Sequence, residues 1–450
     1  MSNIPSPETT AAHSGTAPTS TAGGTDSVKR VALASVIGTT IEYYDFAVYG
    51  TAAALVLGPV FFPTDSPAAS TLAAFLTFAA AFLARPLGVM LFGTLGDRVG
   101  RKPALVTALL LMGAATVAVG LLPTYASVGV TAPVLLVVCR IVQGISLGGE
   151  WGGAVLLAAE HAPPHKRAFF ASIPQMGPLL GFLLSSAVMI PLIDIVGMQQ
   201  FQDWAWRIPF LISAGLVVVG LWVRSRVGES PQFVAARRRN TPAARFPLGA
   251  LLRQHPRRLL LAIGSAIGGS ALYYLAIVYT LSYAPTVLGI PHRSILAAVS
   301  AGAVAAALAM VPFARWADRV GRRPVMLYGA AGSVLWAVPM FGSLSTRNIW
   351  LITGAFVIGQ VLQIMMFSPM AAFMAELFPA HVRYTGASAA FVLANTLGGG
   401  FAPLVASWLT SLWASTAVLG IYVAVLCLVS LLCMVRLPES RNEQFDGHSS

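Results

Sequence analysis

Charged residues are scarce in this chain, and their scarcity excludes a soluble protein. Of its 450 residues, 10% are Asp, Glu, Lys or Arg, 56% are hydrophobic, and the mean hydropathy is +0.76. Because soluble domains carry about 25% charged residues, this chain has too little polar surface for water and must face lipid. Its three cysteines, Cys139, Cys427 and Cys433, lie in apolar runs, which argues against a disulfide framework.

Signatures of enzymes and pumps are also missing. The sequence has no Walker, GxSxG or HExxH pattern, so neither an enzyme nor an ATP-driven pump is expected. His161 and His165 are four residues apart but have no accompanying ligand set, so no metal and no cofactor is expected. Residues 1–28 lack the charged start and apolar core of a secretory signal and are predicted to be a disordered cytoplasmic tail.

What the chain has instead is a series of long apolar runs. A helix that crosses roughly 30 Å of hydrocarbon needs about 20 apolar residues. Twelve runs qualify, and an arginine-rich segment separates the first six from the last six. The predicted parts are the tail 1–28, a six-helix bundle 29–226, a cytoplasmic loop 227–258, a second six-helix bundle 259–437 and a cytoplasmic tail 438–450.

The basic residues predict the orientation of the chain. Of the 28 Lys and Arg, 23 fall in the tails and in the loops on one side of the predicted spans. By the positive-inside rule both termini are cytoplasmic. The net charge of +12 then reflects topology, and no nucleic-acid partner is expected.

An internal repeat organises the chain. A charged loop occurs twice, 221 residues apart: FGTLGDRVGRKP at Phe92–Pro103 and FARWADRVGRRP at Phe313–Pro324. A second pair of similar segments is EHAPPHKR, which begins at Glu160, and ELFPAHVR, which begins at Glu376. Two related halves of six helices are typical of a secondary transporter whose site lies between the halves at mid-membrane. The predicted fold is therefore all-α, with twelve transmembrane helices in two pseudo-symmetric bundles.

These residues resemble the major facilitator superfamily, whose loop pattern G-x-L-G-D-R-x-G-R-K is matched from Gly93 to Lys102. Further segments, EYYDF from Glu42, RPLG from Arg85 and RIVQGISLGGEWGG from Arg140, resemble its metabolite:proton symporter family. That family includes shikimate, α-ketoglutarate and proline/betaine carriers. The resemblance extends from Lys29 to Ser440, is closest to the shikimate-type branch, and implies a monomer in the bacterial cytoplasmic membrane.

Ionisable residues inside the spans are the first functional candidates, because a charge at mid-bilayer is costly unless it is paired or wet. Asp45 is the preferred proton carrier, with Glu42 and Glu150 as further candidates for proton coupling. Arg85 and Arg140 have the geometry to bind a carboxylate by two parallel hydrogen bonds. The alternative is a fixed buried ion pair between these arginines and the acids.

Polar and aromatic residues in the spans complete the candidate substrate site. Their shared feature is a hydrogen-bonding group in an otherwise apolar helix: Tyr44, Gln143, Tyr273, Tyr274, Gln360 and Asn395, with Gln363 as a secondary candidate. The tyrosines fall in the first span of each half, and the resemblance implies that these spans face the cavity.

The charged loops are predicted to act as conformational latches, which the resemblance implies will break and re-form between states. The candidates are Gly93, Asp97, Arg98, Gly100, Arg101, Lys102, Glu160 and Arg167 in the first half and Asp318, Arg319, Arg322, Glu376 and Arg383 in the second. Arg315, Trp316 and Ala317 replace the small residues that precede the first loop, which predicts a weaker second latch. The alternative is that these charges only determine topology.

Together these features predict proton-coupled uptake of a small organic acid by alternating access. Uptake of a zwitterion such as proline or betaine is left open, although no heptads follow Arg436 as they do in osmosensing members of that branch. Proton-driven efflux is less favoured, because Gly177-Pro178-x2-Gly181 only partly matches the antiporter pattern. The alternative outside transport is a membrane enzyme or a sensor that has the same fold but moves no solute.

Overall fold

The computed structural model describes residues 22–99, 101–225, 247–379, 382–413 and 415–441. These residues form helices joined by short turns, with no strand among them. The first 21 residues of the predicted tail, most of the central loop and the last residues of the chain lie outside the described part.

The first half contributes six long helices, α1 to α6. Helix α1 runs through a π-helical turn and α5 ends in one, while a short helix, Arg167–Ser172, leads into α5. Their bounds are α1, Ala22–Ala52 with Ala53–Leu57 and Gly58–Phe61; α2, Pro67–Arg98; α3, Arg101–Leu121; α4, Thr131–His161; α5, Gly177–Gln200 with Phe201–Ala205; and α6, Arg207–Ser225.

The second half repeats this arrangement with α7 to α12. A short helix, Pro247–Gln254, precedes α7. The bounds are α7, Pro256–Tyr274 with Leu275–Tyr279 and Thr280–Leu288; α8, His292–Val320; α9, Arg322–Gly342; α10, Ile349–Phe367 with Met370–Leu377; α11, Arg383–Asn395 with Thr396–Gly400 and Ala402–Leu412; and α12, Ala417–Arg436.

The lengths of these helices suit a membrane. In the described residues eleven helices are long and apolar enough to cross a bilayer, and α6 supplies a shorter apolar stretch, Arg207–Val223. Many of their leucines, valines and tryptophans are exposed, as expected of surfaces that face lipid. The predicted all-α fold with twelve spans is confirmed.

The repeat in the sequence reappears as a repeat in packing. Helix α1 packs on α5 and α6, α2 on α4, and α3 on α4 and α6; in the second half α7 packs on α11 and α12, α8 on α10, and α9 on α10 and α12. The same helix pairs therefore form in both halves. Contacts of α2 with α11 and of α5 with α8 then join the halves.

Small residues allow α2 and α4 to approach closely. A Cβ added at Gly144 would overlap the backbone of Ala81, and one added at Gly148 would overlap the backbone of Arg85. Without side chains at these positions the two helices touch backbone to backbone. This packing brings Arg85 of α2 and Arg140 of α4 onto the same side of the first half.

The halves touch each other at both ends of the molecule. We call the face with the α2–α3 and α8–α9 turns, where the described chain begins at Ala22 and ends at Arg441, the inner face, and the opposite one the outer face. Toward the inner face, Trp151 of α4 stacks on Phe391 of α11 with ring centroids 3.7 Å apart and planes at 4°. On the outer face, Arg293 pairs with Asp194 at 3.4 Å.

Two element boundaries differ from the sequence prediction. Helix α1 begins at Ala22, inside the predicted disordered tail 1–28, because a helix that is already nucleated extends by one backbone hydrogen bond for each added residue. The predicted central loop 227–258 contains the helix Pro247–Gln254 and the first turn of α7. Leu251 of this helix is fully buried, so packing of one apolar side chain holds a segment that composition assigns to a loop.

Candidate functional site

Asp45 lies buried on α1 without an arginine partner. Its Oδ1 accepts a hydrogen bond from the Ser213 hydroxyl of α6, and its Oδ2 has no hydrogen-bond partner. Among the described residues, no ion pair joins Asp45 to Arg85 or Arg140. The alternative of a fixed pair between these arginines and Glu42 or Glu150 stays a prediction.

Arg140 is fully buried on α4 and belongs to a chain of polar side chains. It donates to Gln143 Oε1 at 2.7 Å, and Gln143 donates to the Thr116 hydroxyl at 2.8 Å. The guanidinium carbon lies 3.7 Å from the centroid of the Tyr49 ring. The Thr116 hydroxyl donates in turn to the Met112 carbonyl at 3.0 Å, so this chain of hydrogen bonds ends on the backbone of α3.

Arg85 is buried on α2 and packs against aromatic rings. Its guanidinium carbon lies 3.9 Å from the centroid of the Phe82 ring and 4.9 Å from that of Phe46. The ring of Tyr274, which belongs to α7 of the other half, has its centroid 5.1 Å from that of Phe82. Its Nε and Nη2 have no hydrogen-bond partner.

The aromatic cluster explains how two arginines remain buried without a carboxylate. The faces of aromatic rings carry partial negative charge and attract cations. The centroids of Phe46 and Phe78 are 4.9 Å apart, and those of Phe82 and Tyr274 are 5.1 Å apart. Such rings stabilise the charge but accept few hydrogen bonds, so N–H groups are left available for an anion.

A small cavity lies between the halves. Helices α1, α5, α7, α10 and α11 line it. Its polar lining residues are Tyr43, Ser270, Tyr273, Tyr274, Gln363 and Asn395. Two smaller neighbouring cavities also have Tyr43 in their walls, one toward Phe46 and Phe182 and one toward Trp151 and Gln175. A central, enclosed cavity shared by both halves is the expected position of a transporter site.

The predicted substrate residues divide between the cavity and the helix interfaces. Tyr273, Tyr274 and Asn395 line the cavity, whereas Gln143 lies beside Arg140. Tyr44 donates to the Pro209 carbonyl at 2.8 Å, and Gln360 donates to the Val299 carbonyl at 3.2 Å. These two side chains stabilise contacts between helices. Their roles in substrate binding stay predictions.

Several residues of the site were not singled out from the sequence. Ser213 and Thr116 carry hydroxyls of a kind that is common in membrane helices, so no pattern marks them. Phe82 could have been found, since it precedes Arg85 by three residues and therefore lies on the same helix face.

The first predicted latch lies largely outside the described structure. Gly100 is outside it entirely, as are the side chains of Asp97, Arg98, Arg101 and Glu160, and of the proton-coupling candidate Glu150. Gly93 lies on α2, and Lys102 donates to the Ser225 carbonyl at the end of α6 at 2.9 Å.

The second predicted latch joins the two halves. Both carboxylate oxygens of Asp318 accept hydrogen bonds at 2.9 Å, one from the backbone N–H of Ala168 and one from that of Phe169. Arg322 pairs with Glu376 at 3.1 Å and with Asp318 at 3.4 Å. Asp318 on α8 thereby holds the short helix Arg167–Ser172 of the first half.

The remaining candidates lie close to this network or, in the case of Glu42, close to Asp45. Arg167 is buried on the short helix, Arg319 is exposed on the inner face, and Arg383 Nε donates to the Phe378 carbonyl at 3.3 Å. Glu42 is buried one helical turn before Asp45. Their part in latching or proton coupling stays a prediction.

The sequence model described as the Major Facilitator Superfamily matches residues 35–383 and 261–450. The chain is 41% identical over 424 residues to the inner membrane metabolite transport protein YhjE of Escherichia coli (strain K12), covering 93% of this chain and 96% of that protein. It is 37% identical to the shikimate transporter of Escherichia coli (strain K12), covering 92% and 95%. It is 32% identical to the proline/betaine transporter of Salmonella typhimurium (strain LT2), covering 93% and 85%.

Among solved structures, the fold is similar to a partially occluded inward-open conformation of the xylose transporter XylE from E. coli. The TM-score is 0.73 at 19% identity, covering 93% of this chain and all of that one. At this identity the likeness concerns the fold alone. Together with the sequence matches over more than nine-tenths of the chain, it identifies a multi-pass membrane transporter of small molecules, not an enzyme. The chain belongs to the major facilitator superfamily.

Proposed function

We propose that this protein imports a small organic acid together with a proton across the bacterial inner membrane, with both termini in the cytoplasm. One observation carries the proposal: two buried arginines, Arg85 and Arg140, hold N–H groups without hydrogen-bond partners and pair with no carboxylate among the described side chains. Both pack on Phe46, which lines one of the smaller cavities. A buried cation with unused donors is suited to bind an anion that enters from outside.

The carboxyl group of Asp45 is the proposed proton carrier. It lies buried, with one oxygen bonded to Ser213 and the other without a partner. Protonation removes a charge whose burial is costly and ends the electrostatic attraction between the Asp45 carboxylate and the Arg140 guanidinium. Arg140 is then freer to turn toward an anion, so that proton and substrate favour the same closed state. The coupling ion is the proton, and no cofactor is proposed.

A substrate bound in the cavity would contact both halves, since the lining comes from α1 and α5 on one side and from α7, α10 and α11 on the other. Closing one face and opening the other then moves the halves about a fixed site. We propose that one chain is sufficient for this cycle, because the cavity lies within a single chain.

Uptake of a zwitterion is a second candidate that a specific observation favours. Tyr43, Tyr273, Tyr274, Phe367 and Phe391 line the cavity, and aromatic faces bind ammonium groups. An arginine could hold the carboxylate of such a ligand while the rings hold its cation. The name of the proline/betaine transporter that is 32% identical to this chain supports the same possibility.

Uptake into proteoliposomes under an imposed proton gradient tests the proposal. Labelled shikimate, 2-oxoglutarate, proline and glycine betaine are offered in turn, with the gradient in either direction. We expect one of the acids to accumulate when protons flow inward. Accumulation of proline or betaine alone would favour the zwitterion, and loss of solute from loaded vesicles as protons enter would favour efflux. Movement of no solute in either direction would contradict transport of these classes.

The variant Asp45→Asn separates proton coupling from substrate binding. It keeps the shape of the side chain and the contact with Ser213 but cannot release a proton. We expect it to lose accumulation against a gradient and to retain exchange of labelled for unlabelled substrate across the membrane. Undiminished uphill uptake by this variant would remove Asp45 from the mechanism. Asp194→Asn, in an exposed outer-face pair, is the matched control.

A further inference from the structure

One face of α8 changes from apolar to basic toward its inner end. Val304 and Leu308 are 45% and 74% exposed on this face. Pro312, Arg315 and Arg319 follow at intervals of three or four residues, which keeps them on the same face, and all three are exposed. The 29 residues of α8 span about 43 Å, whereas the hydrocarbon of a bilayer is about 30 Å thick. The apolar part of this face therefore contacts lipid tails, and the arginines reach the headgroups.

An aromatic pair marks the boundary between these two levels. Trp316 of α8 stacks on Tyr328 of α9, with ring centroids 5.8 Å apart and planes at 8°. Tyr328 is 61% exposed. Since Trp and Tyr concentrate where hydrocarbon meets headgroups, the pair places Arg315 and Arg319 at the depth of lipid phosphates.

The two arginines keep their charge available. No described acidic side chain forms a salt bridge with either of them. The guanidinium carbon of Arg315 lies 5.2 Å from the ring centroid of Phe169, on the short helix Arg167–Ser172 of the first half. The neighbouring acid, Asp318, is buried, bonded to two backbone N–H groups and paired with Arg322. The exposed surface beside it is therefore basic.

The internal repeat shows that these side chains are particular to the second half. In the first copy of the loop, Thr94 and Leu95 stand at the positions of Arg315 and Trp316. The helix packing that both halves share therefore does not require an exposed arginine next to a tryptophan, and these two residues have a local cause.

We propose that this surface binds the headgroup of an anionic phospholipid in the leaflet at the inner face. It is called the boundary patch below and consists of Arg315, Arg319, Trp316 and Tyr328. The guanidinium groups bind the phosphate oxygens through charge-assisted hydrogen bonds, and the rings pack on the glycerol and the first methylenes of the tails. Basic pockets between helices at this side of a membrane attract such headgroups. Because Phe169 beside Arg315 belongs to the first half, the bound lipid borders both halves.

Lipid binding to the purified protein in detergent tests the proposal. Dioleoyl phosphatidylglycerol and dioleoyl phosphatidylcholine are titrated in turn, and native mass spectrometry counts the lipids that stay bound. We expect native protein to bind phosphatidylglycerol about tenfold more tightly than phosphatidylcholine. The double variant Arg315→Gln, Arg319→Gln should weaken the tightest phosphatidylglycerol site about twentyfold, since each basic residue near the headgroup contributes about fivefold.

Matched variants separate the boundary patch from charge in general. Arg347→Gln removes an exposed arginine at the outer face and should bind phosphatidylglycerol like native protein. Arg315→Lys with Arg319→Lys keeps both charges and should retain most of the affinity. Arg315→Thr with Trp316→Leu installs the residues of the first copy and should lose about tenfold. Excess inorganic phosphate should not displace the lipid, because it lacks the tails that pack on the rings.

Equal affinity of native protein for the two lipids, native affinity in the double glutamine variant, or an equal loss in Arg347→Gln would each overturn the proposal. The arginines would then act in topology alone. Displacement of the lipid by inorganic phosphate would also overturn it, because the site would then take any free anion. The boundary patch lies outside the central cavity, so each of these outcomes leaves proton-coupled uptake intact.

Discussion

At the scale of single residues, neutral groups stabilise Arg85, Arg140 and Asp45 inside the first half. Arg85 and Arg140 stack on Phe82 and Tyr49 at 3.9 and 3.7 Å, and Asp45 bonds to a serine. Direct ion pairs would consume the hydrogen-bonding capacity of both partners. Aromatic rings and hydroxyls lower the cost of burial and leave that capacity available to a ligand and a proton.

Replacing Phe82 tests whether the ring supports Arg85. Phe82→Leu keeps an apolar side chain of similar size but loses the cation–π contact, which contributes about 0.5 to 2 kcal/mol. We expect the substrate KM to rise severalfold and the thermal midpoint of the purified protein to fall slightly. Phe341→Leu, a buried site that packs on Phe356 away from both arginines, is the matched control. An equal change of KM in both variants would mean that the ring acts only in packing.

At the scale of elements, the glycines of α4 determine where the functional side chains lie. Their absent side chains let α4 touch the α2 backbone at Ala81 and Arg85. Gly144 and Gly148 thus serve packing, and through packing they set the separation of the two arginines. Small residues four apart favour close helix contact, but the pattern does not say with which helix, because any apolar helix offers a similar surface.

Gly148→Ala should separate α2 from α4. The added methyl group overlaps backbone, which cannot give way as a flexible side chain does, and such overpacking costs about 1 to 3 kcal/mol. We expect a lower thermal midpoint and weaker substrate binding. Gly354→Ala on α10, where an added Cβ meets nothing within 4 Å, should leave both unchanged. Native stability and affinity in Gly148→Ala would show that the helices can repack around the methyl group.

At the scale of the whole molecule, the two halves are held together by contacts of different strength at the two faces. On the inner face Asp318 accepts two backbone hydrogen bonds and also faces Arg322, all largely buried. On the outer face the pair Arg293–Asp194 is solvent-exposed, with 68% and 36% of the side chains accessible. Buried charge-assisted bonds contribute more than exposed pairs, so the inner-face contact is the stronger of these two. That the second latch is weaker than the first stays a prediction, because most side chains of the first latch lie outside the described residues.

Asp318→Asn should therefore favour opening of the inner face. The amide can accept one of the two backbone hydrogen bonds and loses its charge next to Arg322, a change of about 1.5 to 3 kcal/mol. We expect faster labelling of a cysteine introduced at Gln175, on the inner side of the cavity, by a membrane-impermeant reagent added to inside-out vesicles. Asp194→Asn should change this rate less than about fivefold. Equal rates in native protein and Asp318→Asn would show that this contact does not control the opening.

Much of the fold could be read from the sequence, and the site only in part. Long apolar runs and the repeated loop at Phe92 and Phe313 predicted twelve helices in two halves, since a bilayer requires each spanning segment to satisfy its own backbone hydrogen bonds. The residue types in the site were also predicted, because ionisable groups are rare in such runs and therefore conspicuous. Gln360 and Gln363 show the limit: both are polar residues of one apolar helix, yet Gln360 lies in an interface and Gln363 in the cavity wall.

The sequence by itself thus determined the number of helices, their pairing into two related halves and which buried residues carry charge, since each of these follows from composition and spacing along the chain. Only the tertiary structure decided that Asp45 bonds to Ser213, that aromatic rings hold the arginines, and that Asp318 bonds to the backbone of the other half. These contacts join helices far apart in sequence. Their partners depend on how the helices rotate and pack, and helix periodicity alone leaves both open.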